Sequence, residues 1–292
     1  MNPLVTVNIL SYNRKDELRN TLQKVYEQSY KNIEVIVVDN ASTDGSPQMV
    51  KKEFPGVILI ELDKNIGIAG WNKGFEIAKG EYVLVLDDDS YPEFNAISLC
   101  VSVFSDQRIG LVATEVYNTA KDKIENEQQE SGYVNNFIGC GAIIRKGVVQ
   151  EIGGFNELLF LYSHEVEFSM RLQNANYKIY FYREAKVIHT YSPQNRVVKI
   201  NNVDYRVVYY GIRNRLIILM LYFPFKRIFF RIIRIILGHL YHAPNIYYKI
   251  GVIKGLISVI GVSHFIFSNR EVLSNEVQAK YGYGNFAGGF FF

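Results

Sequence analysis

Three consecutive carboxylates, Asp87, Asp88 and Asp89, follow directly on the apolar run Tyr82-Val83-Leu84-Val85-Leu86. A short run of β-branched and aliphatic residues reads as a strand buried in a parallel sheet, so the acids fall at its carboxyl end, where open α/β sheets bind ligands. Carboxylates packed this closely repel one another, and beside a low-dielectric sheet edge at least one takes up a proton unless positive charge compensates. A hard divalent cation, Mn2+ or Mg2+, would compensate and would bridge the acids to substrate phosphates. A solvated acidic turn is the alternative.

The residues around this junction alternate strand-like and helix-like patterns, the signature of a βαβ series and a largely parallel sheet. Strands are expected at Leu4–Leu10, Ile33–Asp39, Val57–Glu61, Tyr82–Leu86 and Ile109–Thr114, and helices at Lys15–Gln28, Ser46–Phe54, Ile68–Lys79 and Pro92–Phe104. Ser46 is the expected cap of its helix, with Pro47 at the first helical position. Lys121 to Glu130 reads as a loop or exposed hairpin. Beyond it come Gly139-Cys140-Gly141, a strand at Ala142–Arg145, a helix from about His164 to Asn174, and two strands, Lys178–Tyr182 and Ala185–His189.

The two ends of the chain differ in charge. From Arg196 to Arg270 there are twelve Lys/Arg and one acid, Asp204, whereas residues 1 to 195 carry −7 within a total of +3. A catalytic domain over residues 1–200 and a basic helical region over 201–292 are expected. In the latter, Arg227, Arg231 and Arg234 share one helix face, and Ile228, Phe229, Ile232, Ile233, Ile235 and Ile236 cover much of the remainder. Its longest uncharged apolar runs, Leu216–Phe225 and Gly255–Asn269, fall short of the ~18 to 20 residues that span a bilayer. Peripheral contact with an anionic membrane fits this pattern. Packing of a helical bundle on the catalytic domain or on a second copy in a homo-oligomer is the alternative. Basic residues interleaved with bulky aliphatics argue against nucleic acid.

With only Cys100 and Cys140, and no CxxC or His/Cys cluster in the sequence, neither a disulfide scaffold nor a structural zinc is expected. Met1-Asn2-Pro3 leads straight into the first strand, so the expected setting is cytoplasmic and reducing, at the inner face of the membrane.

Several motifs fall at strand ends or helix starts: Val7–Arg14, Val37–Ser46 with its Asp39-Asn40-Ala41-Ser42-Thr43-Asp44, Asn65–Gly74, and Leu86-Asp87-Asp88-Asp89. Together they resemble the nucleotide-sugar-dependent, inverting glycosyltransferases of family 2, which have the GT-A fold. The resemblance runs from about Val5 to His189 and continues weakly through Tyr209–Asn214. It implies an α/β, Rossmann-like, mostly parallel sheet flanked by helices, with the basic amphipathic helices appended.

The resemblance also implies roles. Ser11, Tyr12 and Arg14 would border the base and phosphates, and Asp39 would accept from the N3–H of uracil or thymine. Asn65, Gly67 and Asn72 would line the donor, although Gly67 and Gly70 also suit a helix-entry turn. Asp87 and Asp89 go to the metal, Asp88 to the ribose side, and His189 to the metal as a further ligand. The segment Gly153-Gly154-Phe155-Asn156-Glu157…His164-Glu165 resembles the family's Gly-Gly-Phe-Asp-Glu stretch and its later Glu-Asp pair. Glu165 therefore takes the base position, with His164 a departure and Glu167 the runner-up. The implied reaction moves a sugar from a UDP- or dTDP-sugar to a hydroxyl of a saccharide or lipid-linked acceptor. A sugar-phosphate nucleotidyltransferase, or a non-catalytic nucleotide-sugar-binding scaffold, would share much of this pattern.

Overall fold

The computed structural model describes residues 2–126, 128–190, 199–200 and 203–282. The described chain divides into two compact units. One runs to Glu157 and resumes at His164; the other takes Leu158–Ser163 and the described residues after Asn195.

The first unit contains β1 (Val5–Ser11), α1 (Lys15–Tyr26), β2 (Ile33–Asp39), α2 (Ser46–Glu53), β3 (Ile58–Glu61), α3 (Gly70–Ile77), β4 (Tyr82–Asp87), β5 (Ser90–Pro92) and α4 (Ala96–Val103). It continues with β6 (Ile109–Asn118), β7 (Lys123–Ile124), β8 (Gly132–Val134), β9 (Ala142–Arg145), α5 (Lys146–Ile152), α6 (His164–Asn174) and β10 (Lys178–His189). The main sheet has the order β3-β2-β1-β4-β9-β6-β10-β5, with β7 on β6 and β8 on β10. β1 to β4 are mutually parallel, and β10 is parallel to β6. β9 enters antiparallel between β4 and β6, and β5 lies antiparallel on β10.

The alternation of strand side chains divides the core. Leu84 and Leu86 of β4 join Val7, Ile9, Val35 and Val37 under Leu18, Leu22 and Val25 of α1. Val85 faces the other way, with Ile144, Leu111, Trp71, Phe155 and Phe168. Strands buried on both faces are why these segments read as continuous apolar runs.

Some expectations change in detail. α2 is not capped by Ser46: Gly45, with φ 88°, lets Asp44 Oδ1 accept from both Ser46 N (3.0 Å) and Ser46 Oγ (2.6 Å). α4 starts only at Ala96, because Ser90–Pro92 pairs with β10 instead. The two strands expected after Lys178 are one, β10, whose pairing with β6 shifts register between Tyr182 and Lys186. Glycines 70 and 74 face the sheet: a Cβ on Gly70 would lie 2.3 Å from Leu10 Cδ1, and one on Gly74 would lie 2.0 Å from Asn8 Oδ1. Asn8 is itself held by a bond from Nδ2 to Trp71 O.

The second unit contains β11 (Lys199–Ile200) paired with β12 (Val203–Asp204), then α7 (Tyr205–Tyr222), α8 (Phe225–Tyr241), α9 (Ile246–Gly261), α10 (Ser263–Ser268) and α11 (Asn275–Gly282). α7 and α9 pack closely at Gly251 and Gly255, where a Cβ on Gly255 would meet Ile212 Cγ2 at 2.4 Å. Among the described residues no helix is long and apolar enough to cross a membrane.

Gly74→Ala is expected to lower stability by about 1 to 3 kcal/mol, because the added methyl must displace a buried, bonded asparagine. Urea unfolding monitored by circular dichroism checks it. An unchanged midpoint would mean that α3 tolerates a wider spacing from β1.

Candidate active site

The acid triplet forms a turn at the end of β4, and Arg14 reaches it from the turn after β1. Arg14 Nη1 lies 2.8 Å from Asp88 Oδ1 and 3.2 Å from Asp89 Oδ2. Asp88 Oδ2 also accepts from Tyr12 N at 2.9 Å. Asp88 and Asp89 are almost wholly buried, and burial pushes the Asp88 carboxyl up to about 7, with Arg14 opposing and Asp89 reinforcing that shift. The main chain of the turn is fixed too. Thr21 Oγ1 donates to Asp88 O at 2.8 Å, and Thr190 N and Oγ1 donate to Asp89 O at 2.9 and 3.0 Å.

Asp87 faces a different group. Ligand-capable atoms of Asp87, Cys140 and His189 all lie within 4.8 Å of one another. His189 Nε2 is 3.5 Å from Asp89 Oδ1, and Nδ1 is 3.2 Å from Glu125 Oε2. Glu125 is held in turn by Asn118 Nδ2 at 2.6 Å. Burial opposes a charge on His189, but Cys140, Asp89 and Glu125 together raise its pKa above the ordinary value. Carboxylates and an imidazole are suitable donors for Mn2+ or Mg2+, and a carboxylate on the far ring nitrogen is the usual support of a metal-bound histidine. The residues therefore fit a divalent cation.

Ser11 and Asp39 are register partners at the adjoining ends of β1 and β2. Asp39 Oδ2 accepts from Ser42 N at 2.8 Å, while Asp39 Oδ1 and Ser11 Oγ are buried without a hydrogen-bond partner among the described residues. Burial raises the Asp39 pKa. The two turns are tied together by Asn13, at φ 52°, whose N donates to Ser42 Oγ and whose Oδ1 accepts from Thr43 N. Tyr12 is partly exposed at this edge.

Asn65 and Asn72 are occupied otherwise than as open donor ligands. Asn65 Oδ1 accepts from Gly67 N at 2.8 Å, closing the tight turn in which Gly67 has φ 64°. Asn72 exchanges two 2.8 Å bonds with the backbone of Phe155, so it anchors the Gly153-Gly154-Phe155 turn.

At the start of α6, Glu165 is partly exposed, and its Oε2 lies 3.2 Å from His164 Nδ1. His164 is buried between Trp71 and Phe155, and neither ring nitrogen makes a well-directed hydrogen bond among the described residues. Gly139 abuts both: a Cβ there would come 2.9 Å from His164 Nε2 and 3.2 Å from Glu165 Oε1. Glu167 is wholly buried in a two-point pair with Arg171, 2.8 Å at each oxygen, which leaves Glu165 as the acid at the solvent-accessible edge.

The sequence model of the family described as Glycosyl transferase family 2 matches residues 6–197. The chain belongs to that family. This glycosyltransferase is 39% identical over 90 residues to the UDP-Glc:alpha-D-GlcNAc-diphosphoundecaprenol beta-1,3-glucosyltransferase WfaP of Escherichia coli. That match covers 30% of this chain and only 36% of the relative. The mannosyltransferase PcManGT of Pyrobaculum calidifontis, in complex with GDP-Man and Mn2+, aligns with a TM-score of 0.59 at 18% identity, covering 98% of this chain and 80% of that one. S. aureus TarS 1-349 in complex with UDP-GlcNAc aligns at 0.64 and 16% identity, covering 94% and 83%. At such identities the likeness shows the fold, which is GT-A.

Sequence reasoning missed Glu125 and Asn118 at the acid end, and it read Gly139-Cys140-Gly141 only as a close floor near the sugar, without the approach of Cys140 to Asp87 and His189. Glu125 sits in a polar stretch, and only the pairing of β7 with β6 returns it to His189. It also missed Arg213 and Asn214 of the second unit. These hold the carbonyls of Leu158 (2.5 Å), Leu161 (2.6 Å) and Tyr162 (3.0 Å) in the loop before His164, where Tyr162 and Ser163 both have positive φ. The sequence signal was the faint continuation of the family pattern at Tyr209–Asn214.

Removing the Arg14 guanidinium leaves two buried carboxylates facing each other. Arg14→Ala is therefore expected to cost about 3 to 5 kcal/mol, the range for breaking a buried pair on one side. Thermal and urea unfolding without added metal measure it, and a loss below about 1 kcal/mol, the worth of an exposed pair, would show that the turn does not depend on Arg14.

Proposed function

We propose that this glycosyltransferase moves a hexose or deoxyhexose from a UDP- or dTDP-sugar to a hydroxyl of a saccharide or lipid-linked acceptor, with inversion, in cell-surface polysaccharide synthesis. The observation that carries this reading is the unpartnered pair Ser11 Oγ and Asp39 Oδ1, buried one strand away from the Arg14-clamped acids. A buried acceptor atom without a partner is costly, and a base N–H would satisfy Asp39 while the diphosphate extends toward Arg14 and the acid turn. The UDP-Glc and diphosphoundecaprenol in the name of the E. coli relative, and the UDP-GlcNAc held by TarS, support a uridine donor and a lipid-linked acceptor.

In this reading residues 1–200 carry the chemistry. Asp39, Ser11 and Tyr12 seat the base and sugar edge, and Asp88 with Arg14 orders the turn beside the ribose. Asn65, Gly67 and Asn72 shape the adjoining loops. Asp87, Asp89 and His189 would hold Mn2+ or Mg2+. Such a cation, when bound, supplies positive charge against the diphosphate. Glu165 takes the proton from the acceptor hydroxyl as that oxygen bonds to the anomeric carbon. The bond from that carbon to the phosphate oxygen breaks on the opposite face, and its electron pair leaves with the nucleoside diphosphate.

Glu165→Gln is expected to lower transfer by about 10²- to 10⁴-fold, the usual contribution of a positioned base, while donor binding measured by thermal shift persists. Full activity in that variant, or a product of retained configuration by NMR, would overturn the assignment.

For residues 201–292 we infer peripheral contact with an anionic membrane, on the inner, cytoplasmic face. Along α8, Phe229, Phe230, Leu237 and Tyr241 are exposed, Phe230 and Tyr241 to 77% and 85%, with Arg234 also exposed beside them. On α9, Ile253, Ile257 and Ile260 are exposed as well. Ile228 alone of α8 is fully buried, and Arg227 bonds Gln278 at 2.8 Å. An outward apolar stripe edged by arginine on a chain segment with almost no acids suits the headgroup boundary. The chain should float with anionic vesicles, and Phe230→Ser with Leu237→Ser should reduce the bound fraction about tenfold or more, since each removes on the order of 1 to 3 kcal/mol of apolar burial. Equal recovery with and without vesicles would favour packing against a second copy.

A further inference from the structure

Cys140 stands at the acid end, where the sugar-transfer reading gives its thiol no role. It lies in a 3-10 turn, Gly139–Gly141, whose placement is set from both sides. Gly141 O accepts from Thr114 Oγ1 at 2.7 Å, and a Cβ on Gly141 would come 2.5 Å from that hydroxyl. The antiparallel pairing of Val85 with Ala142 then sets Gly141 and Cys140, the two residues before β9, beside the end of β4. The thiol is therefore delivered to Asp87 and His189 by main-chain geometry. Cys100, the other cysteine, is on the buried face of α4 in the core, and both cysteines are free thiols.

We propose that Cys140, His189 and Asp87 form a soft-metal site that captures Zn2+ or Cd2+ more tightly than the carboxylate-and-histidine set alone would. Sulfur, nitrogen and carboxylate oxygen are the ligand types that zinc takes in proteins, whereas Mn2+ gains little from a thiolate. The Glu125 carboxylate on His189 Nδ1 supplies the outer support that such sites use. On capture the Cys140 S–H bond breaks, its proton goes to solvent, and the sulfur's electron pair forms the bond to the metal. The His189 nitrogen that takes the metal likewise gives up the proton it carries to solvent and turns its electron pair to the metal, so affinity rises with pH. Burial raises the Cys140 pKa, so the metal, not the solvent, must drive that deprotonation. Because Asp87 and His189 are also the residues assigned above to Mn2+ or Mg2+, captured zinc would compete with the activating ion. That consequence rests on the proposed function; the capture itself does not.

The test uses the full, reduced chain without any sugar nucleotide, so its outcome is independent of whether transfer is ever observed. Cd2+ titration of the wild type should give one equivalent with an ultraviolet sulfur-to-metal charge-transfer band, unchanged in Cys100→Ser and absent in Cys140→Ser. Competition against a chromophoric chelator should show Zn2+ affinity falling about tenfold or more in Cys140→Ser while Mn2+ affinity falls much less. X-ray absorption on the zinc-loaded wild type, which needs no variant, should show one sulfur neighbour at about 2.3 Å. A band that survives in Cys140→Ser, equal Zn2+ affinities, or a shell of nitrogen and oxygen alone would overturn the proposal.

Discussion

Arg14 is the constraint on which the acid end of the sheet rests. Two carboxylates with almost no access to water stand side by side, and the guanidinium reaches both. Arg14 can do so because it occupies the junction between β1 and α1, in the non-helical backbone that precedes Lys15. The central strand pair thus provides the cation from one strand and the anions from its neighbour. Both contacts run through the one Nη1, and an arginine suits the task better than a lysine because its charge persists in a buried setting.

The parts legible in the sequence are those where local pattern and tertiary environment agree. The runs that became β1, β2 and β4 are buried on both faces, so their composition announces them. The polar residues at their ends were visible as ligand-facing candidates because strand termini leave few other uses for Ser11, Asp39 or Asp88. The residues that escaped notice act at a distance along the chain. Glu125 looks like one acid among several in a polar stretch until β7 folds it onto His189. Asn72 sits in a motif that resembles donor-binding segments, yet its amide is engaged by Phe155, eighty-three residues away. Glu167, placed behind Glu165 on the sequence alone, is engaged by Arg171 one helical turn on, where an i, i+4 pair closes. The Gly139-Cys140-Gly141 turn was visible through its glycines, but a lone cysteine carries no spacing from which its approach to Asp87 and His189 could be read.

The Gly139–Gly141 turn also shows why small residues belong there. It passes Cys140 toward Asp87 on one side and leaves room on the other for His164 and Glu165, which approach what would be the Gly139 side chain. A single short turn therefore stands between Asp87 and His189 on one side and Glu165 on the other. His164, where the family pattern has an acid, fills its space with an aromatic ring packed on Trp71 and Phe155.

β5 is only three residues long, but it pairs Ser90 with His189 and, with Thr190 bonded to Asp89 O, joins the acid turn to the end of β10. The acid turn is thereby preorganised: the entropic cost of aligning its residues is met when the chain folds. A cation held between walls fixed in this way would be sorted by ionic radius, softness and hydration rather than by the adaptability of a loop.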